Sequence, residues 1–428
     1  MASLQARLSV PAAFAAILAA AAGTASARAI DLDEALRLGT ERAPSLSASA
    51  AREVAASQTI ASAAALPDPR LTFGISDWPV TGPDAFDLRA DDMTSQQIGL
   101  MQEFPARAKR EAQRSIARAQ WGRAQDVSVA ERATVRQRVA QAWFALWSAQ
   151  AQREALEALR ETSDIAERTA RARLSGGSGS ASETLAIQAT ALALENRIEA
   201  AQGDVESAAA GLARWVDGEA DPPTASGTLP DLRQLRIAED RLLANLDQLA
   251  PLLPWAGSER VAEAEVDAAL AQKRPDYGLA LSYGRRDRSP EGASRSDMLM
   301  LEFSVGLPLF ARNRQDRTIA ARRADLDAAV AERDEARREQ RESLRRTLAD
   351  WRAQVRQLDR IEHHALPLAH DRSAVALAAY GAGGELQPWI DARRDEIELT
   401  IEHARLQGEL GRTWAALAWL LPDEVSTP

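Results

Sequence analysis

Between Ala106 and Ala220 the chain contains no proline. From Ala106 to Arg173 it reads as one helix, interrupted only by Gly122. The run Ser175-Gly176-Gly177-Ser178-Gly179-Ser180 breaks it, and a second helical pattern continues to about Trp215. Roughly 68 residues of helix span about 100 Å, several times the width of a small domain. This is a long helical hairpin with a Gly/Ser tip, and a rod of that length must pack against other rods. Val135, Val139, Ala142, Trp143 and Leu146 supply an apolar stripe for such packing.

The N-terminus has a different character. Arg7 precedes an apolar run from Val10 to Ala22, too short to span a bilayer, and Ala25-Ser26-Ala27 or Ala27-Arg28-Ala29 offers small-residue cleavage. Residues 1–29 are read as a secretory signal peptide. The alternative is an N-terminal membrane anchor. No later stretch holds 18 uncharged apolar residues, so an exported chain of this kind is soluble or a β-barrel. The formal net charge of −10 makes nucleic acid a poor partner. The absence of cysteine excludes disulfides, thiolate metal sites, cysteine catalysis and lipidation on cysteine.

Past the leader, Asp31 and Glu34 are placed as a capping box for a helix to about Ala65, stopped by Leu66-Pro67-Asp68-Pro69. The period then changes to two. Leu71, Phe73 and Ile75 alternate with Thr72, Gly74 and Ser76, and after a loop with Pro79, Gly82 and Pro83, Ile98, Leu100, Gln102 and Phe104 alternate with Gln97, Gly99, Met101 and Glu103. Pro105 ends this hairpin where the long helix begins.

The whole pattern then recurs. Pro222-Pro223 and Pro230 mark a linker, in which Arg236 to Leu249 allows a short helix, and a further helix covers about Ser258 to Lys273. Arg274-Pro275-Asp276 repeats the earlier stop. Leu279, Leu281 and Tyr283 alternate, then Leu299, Leu301, Phe303, Val305 and Leu307, ended by Pro308. Helix follows from Ala311, with a kink expected at Pro367, to the tip Gly381-Ala382-Gly383-Gly384 and a return helix to Leu420. The two strand-ending prolines lie 203 positions apart. The expected organisation is a leader at 1–29, a first repeat at 30–220, a linker at 221–257, a second repeat at 258–421 and a tail at 422–428. The repeats carry hairpins at about 70–104 and 276–307 and tips at 175–180 and 381–384.

Strands of about ten residues alternating in polarity match the length that crosses an outer membrane. If they span it, four strands leave open edges in lipid, so several chains must share one barrel. Two chains give eight strands and a filled interior; three give twelve and a passage. The alternative is a pair of solvent-exposed hairpins on a periplasmic coiled-coil scaffold or adaptor without a pore.

The ordered motifs Leu66-Pro67-Asp68-Pro69, Gln102-Glu103-Phe104-Pro105 with Lys109-Arg110, Arg274-Pro275-Asp276, Leu307-Pro308-Leu309-Phe310, and Gly383-Gly384 before Ile390-Asp391-Ala392 resemble the TolC family of outer-membrane efflux proteins. The Pro-Asp-Pro stop and the Phe-Pro-x-x-x-Lys-Arg turn are most similar to its heavy-metal-efflux, CzcC-like branch. The resemblance covers nearly the whole chain after the leader. It implies a fold that is mainly α with a small β part. Tandem-duplicated helical hairpins would build a periplasmic α-barrel, and two β-hairpins per chain would enter a shared twelve-stranded outer-membrane β-barrel in a homotrimer. It implies the outer membrane of a Gram-negative bacterium as location, with a periplasmic adaptor and a proton-driven inner-membrane pump of the resistance-nodulation-division type as partners. The chain itself would be a passive duct, exporting metal cations, drugs or, in a type I system, polypeptides.

The same resemblance places a pore constriction at Asp391, helped by Glu385; the position three before Asp391, often acidic in the family, is Pro388 here. Three symmetry-related carboxylates at one height attract cations. The plainer reading of Asp391 is a solvated helix residue. Gly176, Gly177, Gly383 and Gly384 match where adaptors dock, and turn chemistry alone also accounts for them. Trp389 reads as a packing residue. His363 and His370 share a helix face without a further ligand in view, so no metal site and no cofactor is assigned. The charged run Arg312–Arg346 reads as a solvated face with pairs such as Asp334 with Arg338 and Glu342 with Arg346. No Gly-x-Ser-x-Gly, His-Glu-x-x-His or paired-carboxylate constellation is present, which argues against an enzyme.

Overall fold

The computed structural model describes residues 28–216, 222–382 and 385–422. Among the described residues, fifteen helices and strands set the fold. The chain opens with strand β1 (Arg28–Ile30), then helices α1 (Leu32–Arg42) and α2 (Pro44–Ser62), strands β2 (Arg70–Ser76) and β3 (Ser95–Phe104), and helices α3 (Arg107–Ser175) and α4 (Ala181–Val216). Strand β4 (Pro223–Ala225) and helices α5 (Glu239–Ala244) and α6 (Leu253–Ala271) lead to strands β5 (Asp276–Arg285) and β6 (Met298–Gly306). Helices α7 (Gln315–Arg360), α8 (Leu366–Gly381) and α9 (Gln387–Ala418) complete it. The chain divides into two compact units. One gathers residues up to Gly39, Val139–Asp231 and Arg356–Arg412; the other holds Thr40–Arg138, Leu232–Val355 and Thr413 onward.

The helix starts follow their local chemistry. Asp31 caps α1 by accepting the Glu34 amide at 2.7 Å. The expected single helix to Ala65 is in fact two, because Pro44 forces Ala43 into extended backbone (ψ 117°) and itself becomes the first residue of α2. Arg28 and Ala29, which the sequence reading assigns to the leader's end, pair with Pro223 and Thr224 in the parallel β1–β4 ribbon. Residues 1–27 lie outside the described residues. The short helix expected from Arg236 to Leu249 is only α5 followed by 3₁₀ turns, and α6 starts at Leu253, five residues before expectation, with Pro254 in its first turn. The kink expected at Pro367 appears as a π-helical turn, Ile361–Ala365, directly before α8. A proline clashes with the carbonyl four residues back, and widening the turn relieves it.

The first unit is built on the tryptophan stripe of α3. Val139, Trp143, Phe144 and Leu146 are fully buried. Trp143 donates its indole N–H to the Ile30 carbonyl at 2.9 Å and meets Phe144 edge-to-face. Gln150 accepts the Ala225 amide at 3.0 Å, which fixes the other strand of the ribbon. Helix α9 approaches α3 closely at two glycines: a Cβ at Gly411 would stand 2.3 Å from the Phe144 ring, and one at Gly408 2.3 Å from Ser148. Farther along, Leu156 and Leu159 pack with Leu194, Ile198 and Ile397.

In the second unit, Leu242, Leu246, Leu249 and Leu252 from the linker pack on Leu344 and Leu348 of α7 and on Leu417, Leu420 and Leu421. Two further indoles pin this irregular segment: Trp351 donates to the Leu232 carbonyl and Trp414 to that of Gln234. Buried tryptophans need such acceptors. On α7, Glu342 and Arg346 pair at 2.9 Å as expected, whereas Arg338 turns to Glu335 rather than Asp334.

The four long strands form one antiparallel sheet in the order β2-β3-β5-β6, so β3 joins β5 and unites the two hairpins. Arg295 reinforces the union by donating to the Arg89 and Asp91 carbonyls in the other hairpin's loop. The register sorts side chains by face. Leu71, Phe73, Ile75, Ile98, Leu100, Phe104, Tyr277, Leu279, Leu281, Tyr283, Leu299, Leu301, Phe303 and Val305 all lie on one side. Thr72, Gly74, Ser76, Gln97, Gly99, Glu103, Gly278, Ser282, Gly284, Glu302 and Ser304 lie on the other. Among the described residues no helix covers the apolar face: Phe73 is 72% exposed, Leu299 71% and Leu301 69%.

Candidate functional site

Three places in the fold carry the residues that the sequence singles out. The first is the Gly176–Gly177 turn between α3 and α4. Gly177 has φ 76°, a conformation costly for other residues, and the amides of Ser178 and Gly179 both reach back to the Arg173 carbonyl at 2.9 Å. A Cβ at Gly179 would stand 2.9 Å from the Leu174 nitrogen. Turn geometry therefore accounts for Gly177 and Gly179. Gly383 and Gly384, the corresponding pair of the second tip, lie outside the described residues.

The second place is the start of α9. Asp391 is half-buried and accepts from Gln387 at 3.1 Å, with Arg394 at 3.9 Å from the same oxygen. It lines two grooves: one with Leu159 and Ala166 of α3 and Ile187 of α4, the other with Leu368, Val375 and Ala379 of α8. Glu385 is exposed, and among the described residues no hydrogen bond or ion pair joins it to Asp391. Trp389 is partly buried.

Around Asp391 runs a belt of ion pairs that sequence reading missed. Arg372 of α8 pairs with Asp395 at 2.8 Å, and Arg197 of α4 holds Glu398 through two guanidinium nitrogens, one at 3.0 Å. Glu396 takes His370 at 3.0 Å and Arg393 at 2.9 Å. Burial raises the Glu396 pKa, but hydrogen bonds from His370, Arg393 and Ser373 outweigh it and hold the carboxyl below its usual range. The bond from Arg197 does the same for Glu398 against a smaller burial effect. These carboxylates stay charged at neutral pH and tie α4, α8 and α9 together. The i,i+4 pattern of one helix carries no trace of such cross-helix partners.

The histidines do not converge. His363 sits by Asp359, His370 by Glu396 and His403 by Glu362. Among the described residues no cluster of three or more His, Cys, Asp or Glu is able to hold a metal ion.

The third place is the junction of sheet and helices. Asp276, at the start of β5, accepts the Ala106 amide at 2.9 Å and the Lys109 ammonium at 2.6 Å. Gln102 donates to the Pro67 carbonyl at 2.7 Å, and Arg110 to that of Ala64 at 3.4 Å. The motifs Phe104-Pro105…Lys109-Arg110 and Pro275-Asp276 are thus two halves of one joint, which links the repeats where strand becomes helix. Their spacing in the chain gives no hint of it.

Tandem helical hairpins and a four-stranded amphipathic sheet are the features to set beside known folds. Residues 35–216 match the family model described as outer membrane efflux protein. The fold is similar to that of CusC (TM-score 0.74, 14% identity, over 92% of this chain and 94% of that one). It is similar also to the Campylobacter jejuni CmeC outer membrane channel (0.75, 13%, 91% and 85%) and to the outer membrane protein VceC of Vibrio cholerae (0.71, 18%, 90% and 94%). No curated protein sequence matches. Over residues 35–216 the chain resembles the outer membrane efflux protein family, and over nine-tenths of its length it shares the fold of these channels. Among the described residues no helix is long and apolar enough to cross a membrane.

Proposed function

We propose that this chain is the outer-membrane exit duct of a tripartite efflux system in a Gram-negative bacterium. Three copies share one twelve-stranded barrel, after removal of the leader at Ala27, the site that spares β1. The observation that carries the reading is the sheet. Among the described residues its apolar face is bare and both its edge strands are unpaired, a combination that water punishes twice and a lipid-embedded closed barrel satisfies. A soluble scaffold would leave the same fourteen apolar and aromatic side chains in water.

In this reading the helical hairpins continue into the periplasm, where their tips receive an adaptor joined to a proton-driven inner-membrane pump. At rest the helices around Gly383 to Asp391 narrow the pore; adaptor docking splays them, and substrate diffuses out. Metal cations are the proposed cargo, on the motif resemblance to the heavy-metal branch and on Asp391. A ring of three carboxylates concentrates cations without a tight site that would slow their passage. Drugs are the other cargo class.

Single-channel recording in planar bilayers tests this. The wild-type protein should give discrete conductance steps with block by multivalent cations. Asp391→Ala should raise the conductance and weaken the block. Unchanged conductance and unchanged block would remove Asp391 as the constriction, and no channel activity from correctly assembled protein would remove the duct.

A further inference from the structure

The internal repeat, laid on the sheet's open edges, indicates how one copy meets the next. Inside the chain, the return strand of the first hairpin (β3) pairs with the leading strand of the second (β5), Phe104 opposite Tyr277. Beside that joint Asp276 takes Lys109 and the Ala106 amide. Both partners recur. Phe104-Pro105…Lys109 returns 203 positions later as Leu307-Pro308…Arg312, and Pro275-Asp276 stands 208 positions earlier as Pro67-Asp68. The strands attached to these second versions are β6 and β2, the two edges of the sheet.

Carrying the β3–β5 register over to β6 and a neighbouring copy's β2 sets Val305 opposite Leu71, Phe303 opposite Phe73 and Leu301 opposite Ile75. All six lie on the apolar face, as a continuous wall demands. A slip of one residue would set apolar side chains against polar ones along the entire joint. The same operation sets Arg312 against Asp68. Both side chains are exposed, and neither has a hydrogen-bond or ion-pair partner among the described residues, in contrast to Lys109 and Asp276.

We propose that Arg312 of one copy pairs with Asp68 of the next, an inter-copy counterpart of the Lys109–Asp276 joint that latches β6 to β2 in this register. The proposal rests on the shared-barrel reading above and adds its closing contact. The required partner is a second copy of this chain.

The lack of native cysteine makes the test direct. The double variant Asp68→Cys/Arg312→Cys, extracted from outer membranes in detergent, is treated with a short bis-maleimide and run on a denaturing gel after boiling. Covalent dimers and trimers are expected, and each single variant should give monomer only. If light scattering finds the oligomer intact while the double variant yields no covalent oligomer, the latch is wrong and the shared barrel stands. If the protein is monomeric throughout, both fail. A second arm reads function of the charges themselves. Asp68→Arg and Arg312→Asp should each lower the temperature at which the unboiled oligomer dissociates, and the double reversal should restore it. Failure of the double reversal to restore it would overturn the ion pair.

Discussion

Leu301→Arg is expected to abolish assembly in the outer membrane, while Met300→Arg, one residue away, is expected to be tolerated. Both positions are exposed in the middle of β6, and only the face differs. Leu301 stands opposite Leu281 on the apolar side; Met300 stands opposite Ser282 on the mixed side, which carries Thr72, Gln97, Glu302 and Ser304 together with Met101 and Met298. An arginine facing lipid near the bilayer midplane costs about 2–4 kcal/mol, and the proposed trimer would multiply that threefold. An arginine facing a water-filled lumen escapes most of it. The readout is the amount of each variant recovered in outer membranes as the heat-dissociable oligomer. Equal recovery of the two variants would mean that the apolar face does not meet lipid.

Trp143→Ala should produce the largest loss of stability among single core changes, about 3–5 kcal/mol. The side chain is wholly buried, stacks edge-on against Phe144, and satisfies the Ile30 carbonyl. Its removal leaves a cavity beside a crowded contact, because Gly411 already brings α9 against Phe144 with no room for a Cβ. It also frees β1, whose register with β4 depends on Ile30 staying in place. Trp143→Phe keeps most of the volume but loses the donor, and should cost about 1–3 kcal/mol. Thermal unfolding followed by far-ultraviolet circular dichroism orders the three proteins; a Trp143→Ala midpoint equal to wild type would contradict this account of the core.

What the sequence reveals and what it hides have physical causes. The long helices are legible because a 3.6-residue period sustained past Val135, Val139 and Trp143 belongs to a helix alone. The strands are legible because Leu71-Phe73-Ile75 and Leu299-Leu301-Phe303 alternate so strictly. Pro44 is in plain view, yet its effect on Ala43 is lost within a pattern that is apolar on both sides of it. The β1–β4 ribbon is hidden because three-residue strands carry no period, and because Arg28 and Ala29 sit inside a plausible cleavage signal. The joint between Asp276 and Lys109 is half legible: each motif stands out, but their meeting is made by the β3–β5 register, which no local pattern states. Near the start of α9, the motif singles out Asp391, while Arg197, His370 and Arg372 act through partners on other helices and look like ordinary surface charge until the helices are packed.

The claim on which the rest depends is that several copies close one barrel. The most direct measurement is fractionation of outer membranes followed by gel analysis of the detergent-extracted protein, with and without boiling. The account predicts outer-membrane recovery and an unboiled band near three times the monomer mass that collapses to monomer on heating. A soluble periplasmic monomer, unchanged by boiling, would contradict it and leave the sheet as an ornament on a helical scaffold.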